Sequence, residues 1–99
     1  MTETAWDRLL DLVDHLADNP HLPVAAEGER TFAALCTQAI ADGSVDRELH
    51  ADDTARWLAG LVIAYRAVRE AHPDVPSDDD LGMLRVIITR WLHPARPGR

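Results

Sequence analysis

The sequence predicts an all-α domain of four helices. Apolar residues recur at helical spacing in four separate windows, prolines and glycine fall between those windows, and no segment sustains the period-two alternation of a strand. At 99 residues the chain has the length of one domain, large enough for one core but not for a catalytic unit plus a regulatory one. Its 46% hydrophobic and 27% charged residues are those of a folded chain rather than a disordered one.

The first helix is expected over about residues 3–18. Trp6, Leu9, Leu10, Val13 and Leu16 follow the i, i+3, i+4, i+7 spacing of one face, with Asp7, Asp11, Asp14 and Asp18 largely opposite. Thr2, followed by acids, suits its start. Pro20 and Pro23 stop it, because each lacks a backbone donor and disfavours helix in the residue before it. Residues 19–28 then connect, with room for one helical turn around Val24.

Phe32, Leu35, Cys36, Ala39 and Ile40 form the stripe of a second helix, about 29–42. Gly43 stands where a C-terminal cap favours positive φ. A third helix, about 52–71, opens with Asp52 or Asp53 as the acceptor for its first free amides. The segment "HPDVPSDDD" ends it, and Ser77 or Asp78 can cap a fourth helix over about 79–92, closed by His93 and Pro94. Residues 1–93 make the domain, and 94–99, with two prolines, a glycine and two arginines, make a frayed basic tail.

The last two helices carry more apolar surface than a subunit of this size needs. In the third, Trp57, Leu61 and Val68 lie on one line and Leu58, Val62 and Tyr65 beside it, with Ile63 turned elsewhere, a pattern expected of burial on more than one side. Gly60, Ala64, Ala67 and Ala71 add a ridge of small residues that would let another helix approach closely. In the fourth, Leu81, Leu84, Ile87, Ile88, Trp91 and Leu92 form a broad face that Met83 and Val86 extend. Four short helices cannot cover all of this, so a homodimer is expected. Two helices from each chain would then form a four-helix interface through Gly60, Ala64, Ala67, Ala71, Ile87 and Trp91. The alternative is a monomer with unusually broad core helices.

All 17 acidic residues lie in positions 1–80 beside six arginines, whereas 81–99 hold four arginines and no acid. An acidic body repels phosphate backbones, so direct DNA binding by this chain alone is not expected. The longest apolar run, "WLAGLVIAY", has nine residues where a membrane span needs about 20, so no membrane partner is expected. Cys36 is the only cysteine, which excludes an intrachain disulfide, and a cytoplasmic protein is the simplest reading.

The residues offer little support for catalysis, and neither catalytic residues nor a cofactor are assigned. Asp11 and His15, or Asp14 and Asp18, have helical spacing for sharing a metal, but two ligands do not make a site, and no metal is expected. His50 with Asp52 and Asp53 has the same weakness. Cys36 lies on an apolar stripe and reads as a buried small hydrophobe rather than a nucleophile. The run Asp78 to Asp80 suits a helix start better than calcium, because no twelve-residue loop follows. A small apolar or amphipathic ligand is the more plausible guest, with Trp6, Phe32, Cys36, Trp57, Tyr65, Met83 and Trp91 as pocket candidates. For any one of these, ordinary core packing is the simpler account.

The order of elements carries a family resemblance. A helix ends at "AIADGSV", a polar corner leads into "DRELHADDTARWLAGLVIAYRAV", and an acidic proline-containing loop precedes "LGMLRVIITRWLHP". Over about residues 5–93 this resembles the C-terminal regulatory domain of TetR-family transcriptional repressors. The pattern D-x-x-A-x-x-L, matched here by Asp52, Ala55 and Leu58, or with Asp53 as the acid one residue nearer to Ala55, opens a long apolar helix in that family. The resemblance implies a dimeric bundle made by the last two helices and a small-molecule-sensing role. The family's helix-turn-helix head normally precedes this region, whereas here Met1 stands almost at the regulatory part, so a module without its own DNA-binding head is expected. Two other readings are a structural protein that forms headless heterodimers with a full-length regulator, and a small helical enzyme.

Overall fold

The computed structural model describes residues 3–25 and 27–93, which form α1 (Ala5–Asp18), α2 (Glu27–Ala41), α3 (Ala51–Ala71) and α4 (Ser77–Leu92). No strand occurs among the described residues. The expected four-helix, all-α class is the observed one, with each helix bound within two residues of its expected place. The expected frayed tail, 94–99, lies outside the described residues.

The helix starts differ from the sequence expectation in their chemistry. At α1 the cap is Thr4, whose hydroxyl accepts from the Asp7 N–H at 3.1 Å while the Asp7 carboxylate accepts from the Thr4 N–H at 3.1 Å. This reciprocal capping box satisfies two donors at once and replaces the expected start at Thr2, which lies outside the described residues. At α3 and α4 the N-cap positions fall to His50 and Pro76, neither of which gives a side-chain cap. Asp52, Asp53, Ser77 and Asp78 are therefore first-turn residues rather than caps, because each helix starts one or two residues earlier than expected. The carboxylates of the three aspartates still complement the positive end of the helix dipole. The expected helical turn around Val24 is absent. Val24 is instead buried, and its carbonyl accepts from the Glu29 N–H at 3.1 Å.

The corner after α2 follows its sequence signal closely. Gly43 has φ +79°, the Ser44 N–H reaches the Ala39 carbonyl at 3.0 Å, and the Gly43 N–H reaches Ile40 at 3.3 Å. These are the two bonds of a Schellman cap, which needs a residue comfortable in the left-handed region.

α3 is the central helix and packs on α1, α2 and α4, most extensively on α2, whereas α4 packs on α1 and α3. The core between them takes Leu9 and Val13 from α1, Phe32 and Cys36 from α2, Leu58 and Val62 from α3, and Ile88 and Leu92 from α4, all essentially inaccessible. Burying each large apolar side chain contributes about 1.5–3 kcal/mol before chain entropy is counted.

Candidate functional site

α4 is the most peripheral helix, yet polar bonds fix it at both ends and near its middle. At its start, Arg69 of α3 donates through Nη1 to the Asp80 carboxylate and to the Val75 carbonyl, both at 2.7 Å. In the middle, Arg85 grips Asp14 of α1 with two nitrogens, Nε at 3.1 Å and Nη2. The hydrogen-bonded Asp14 carboxylate holds the Arg85 guanidinium above its ordinary pKa. At its end, the Asp46 N–H donates to the Leu92 carbonyl at 3.0 Å, and His93 Nε2 contacts the Ser44 carbonyl. The corner that closes α2 thus also receives the last turn of α4.

With α3 and α4 so placed, their apolar residues divide between two sides. Ala55, Leu58, Ala59, Val62 and Tyr65 of α3 and Leu84, Ile88 and Leu92 of α4 face the core. Others face out: Trp57 is 61% exposed, Ile63 53% and Met83 60%, and Val68, Val86 and Ile87 are also exposed, whereas Leu61 is half-buried. In this chain α3 is therefore covered on one side, and not on the several that its double stripe predicts. The surplus apolar area of the last two helices stands uncovered.

The small-residue ridge lies on this outer side as well. Gly60, Ala64, Ala67 and Ala71 are exposed, and a Cβ added at Gly60 would meet nothing within 4 Å. Among the described residues no contact explains a glycine in mid-helix at a cost of about 1 kcal/mol relative to alanine. Between α3 and α4 the surface dips into an open groove of about 140 Å³, lined by Leu61, Ala64, Tyr65 and Val68 on one wall and Asp80, Met83, Leu84 and Ile87 on the other. Asp80, its one charged residue, is already held by Arg69.

Family models, curated proteins and solved structures were compared with the chain, and none matches. The functional reading therefore rests on the chemistry of this surface.

Of the seven pocket candidates, only Tyr65 and Met83 line the groove. Phe32 and Cys36 are sealed in the core, Trp6 and Trp91 pack partly buried against it, and Trp57 stands on the outer face of α3. Of the six interface candidates, Gly60, Ala64, Ala67, Ala71 and Ile87 are exposed on the outer side, and Trp91 is half-buried. Burial pushes the Cys36 thiol up to about 11, so at neutral pH it is a protonated, inaccessible group rather than a nucleophile. Burial also raises the Tyr65 phenol, against the opposing charge of Arg69. Among the described residues no three His, Cys, Asp or Glu side chains converge on a point that could hold a metal, and no helix is long and apolar enough to cross a membrane.

The sequence reading missed the arginine anchors. Arg66, Arg69 and Arg85 carried a usable signal, since each follows a mainly apolar stretch of its helix and points to partners beyond it. Their acceptors, the Leu16, Asn19 and Val75 carbonyls and the Asp14 and Asp80 carboxylates, carried none.

Proposed function

We propose that this chain is a dimerisation module of the kind found in TetR-type regulators, pairing through the outer faces of α3 and α4, with small apolar molecules acting as regulators of that assembly. The observation that carries the reading is the exposure of six large apolar side chains on two adjacent helices, Trp57, Ile63 and Val68 of α3 and Met83, Val86 and Ile87 of α4. A surface of this kind is unfavourable in water unless something covers it. α3 and α4 have 21 and 16 residues, giving lengths of roughly 31 and 24 Å. Two helices side by side at that length present a face of the size that each partner contributes to a standard interface, about 800 Å² of accessible surface.

The open groove supports the regulatory half of the reading. At about 140 Å³ it is smaller than a typical ligand cavity of roughly 300–1,000 Å³, and fits a partner's side chain or a small apolar molecule. A molecule seated there would compete with or complete the interface, shifting the dimer population.

Sedimentation equilibrium from 1 to 200 µM tests the pairing, with a dimer expected at tens of micromolar. A chain that stays monomeric throughout would overturn the reading. A thermal-shift screen with small apolar and amphipathic molecules tests the regulatory half, because any binder of the native state raises Tm. In a mobility-shift assay the isolated chain is expected to leave duplex DNA unshifted at physiological salt.

A further inference from the structure

Four side chains run along the outermost ridge of α4: Asp79, Met83, Val86 and Arg90, all exposed. Their spacing of four, three and four residues keeps them on one line. Eleven residues make three turns to within about 20°, so Asp79 and Arg90 point the same way, roughly 16 Å apart along the helix. The ridge thus reads acid, apolar, apolar, base.

Its two charges are unspent. The neighbouring ions of the hairpin are engaged within the subunit, Asp80 by Arg69 and Arg85 by Asp14, whereas among the described residues neither Asp79 nor Arg90 forms an ion pair. Each also complements the dipole at its own end of α4, which accounts for their signs. The dipole does not account for their alignment with Met83 and Val86.

A two-fold axis perpendicular to α4, passing midway between Leu84 and Arg85, maps this ridge onto its own complement. It sets Asp79 of one copy against Arg90 of the other at both ends, and Met83 against Val86 in between. A parallel arrangement would set acid on acid and base on base. We propose that a second copy of this chain packs its α4 antiparallel along this ridge, with the two Asp79–Arg90 pairs fixing orientation and register. This inference rests on the dimer reading above and adds the residues that select the partner's direction. The apolar contacts supply most of the affinity, and the charges reject the wrong alignment.

The test uses the full chain and two reversals, Asp79→Arg and Arg90→Asp, each alone and in a one-to-one mixture. Both sites are exposed, and circular dichroism serves to check that the variants fold. Each variant alone creates two like-charge contacts and is expected to raise the dimer dissociation constant by about tenfold. The mixture restores opposite charges at both ends, so native mass spectrometry should find a heterodimer within about threefold of the wild-type affinity. Asp79→Asn and Arg90→Gln, which spare the helix from reversed charge, should each weaken the dimer by about threefold. A wild-type dimer whose affinity none of these changes alters would overturn the inference and leave the dimer reading standing. A mixture that fails to form the heterodimer, while both variants are folded and weakened, would likewise remove the proposed pairing. A wild-type chain that is monomeric at 200 µM would remove both.

Discussion

Trp6, at the start of α1, and His93, just past the end of α4, meet edge to face with ring centroids 4.3 Å apart and planes at 87°. That contact joins the first helix to the last. His93 also touches the Ser44 carbonyl, so one imidazole ties together α1, α4 and the corner after α2. Replacing Trp6 with alanine removes the ring contact and its packing against the core, and is expected to lower stability by about 2 kcal/mol. For a chain of this size Tm should fall by roughly 10 °C, measured at one fixed protein concentration.

Arg66 makes the second long-range closure. Its Nη2 donates to the Leu16 carbonyl at 2.8 Å and to the Asn19 carbonyl at 3.0 Å, binding the C-terminal end of α1 to the middle of α3. A guanidinium at that position satisfies free carbonyls and complements the negative end of the helix dipole. Arg66→Ala should cost about 2 kcal/mol, and Arg66→Lys should recover only part of it, because lysine's more strongly hydrated ammonium has a shorter reach than the Nη2 that serves both carbonyls. Urea melts of the three proteins check the order, and equal midpoints for all three would refute it.

Two glycines separate subunit stability from assembly. Gly60 on α3 and Gly82 on α4 both have open space where a Cβ would go. In the separated subunit either change to alanine should therefore stabilise its helix by about 0.5–1 kcal/mol. Gly82 flanks the Asp79–Arg90 ridge, three residues from Asp79 and four from Val86, so Gly82→Ala should weaken a dimer packed along that ridge. Gly60→Ala places a methyl group where a neighbouring helix is proposed to approach, and should weaken the dimer by about fivefold or more while stabilising the monomer. Melting at low concentration and sedimentation at high concentration read the two effects separately.

Cys36 gives a pH signature. Its thiol stands at about 11 in the folded chain against 9.0 for an ordinary thiol, with burial as the cause. Between those values the folded state keeps a proton that the unfolded chain has released, so stability falls as pH rises, by up to about 1.4 kcal/mol per pH unit. The sequence contains no lysine, which leaves few other side chains to titrate there. Tyr65, also raised, contributes with the same sign at the upper end. Cys36→Ala should shift the whole curve downward through lost packing yet flatten its slope between pH 9 and 11. An unchanged slope would show that the thiol ionises freely in the folded protein.

The helices were legible because backbone and burial follow local spacing. Leu9, Val13 and Leu16, or Phe32, Cys36 and Ala39, can share a face only on a helix, and proline and glycine mark the ends. The fourth-residue rule behind the capping box was equally available at Thr4 and Asp7, yet acids crowding after Thr2 drew the start too early. The double stripe of α3 correctly signalled surplus apolar surface. Periodicity fixes the angle between Val62 and Ile63 on the helix, but it does not say which neighbour fills each direction, so the uncovered side was not predictable from α3 alone. The arginine bonds were hidden for a related reason: Arg66 acts on main-chain carbonyls 47 and 50 residues away, and carbonyls leave no mark in a sequence.

α4 and α2 do not pack side by side, yet the Schellman corner makes α2 a mechanical neighbour of α4. Ser44, one residue beyond Gly43, offers its carbonyl to His93, and Asp46 two residues later holds the Leu92 carbonyl. α4 is thus a beam resting on three supports: Arg69 at one end, Asp14 near mid-span, and this corner at the other. Two of those supports come from the helices it lies on, and the third belongs to the end of α2. A repacking around Phe32 or Cys36 that moved α2 by a fraction of an ångström would shift one bearing and leave the other two in place. The beam would then pivot, and the side chains along its outer edge would swing by more than the core had moved.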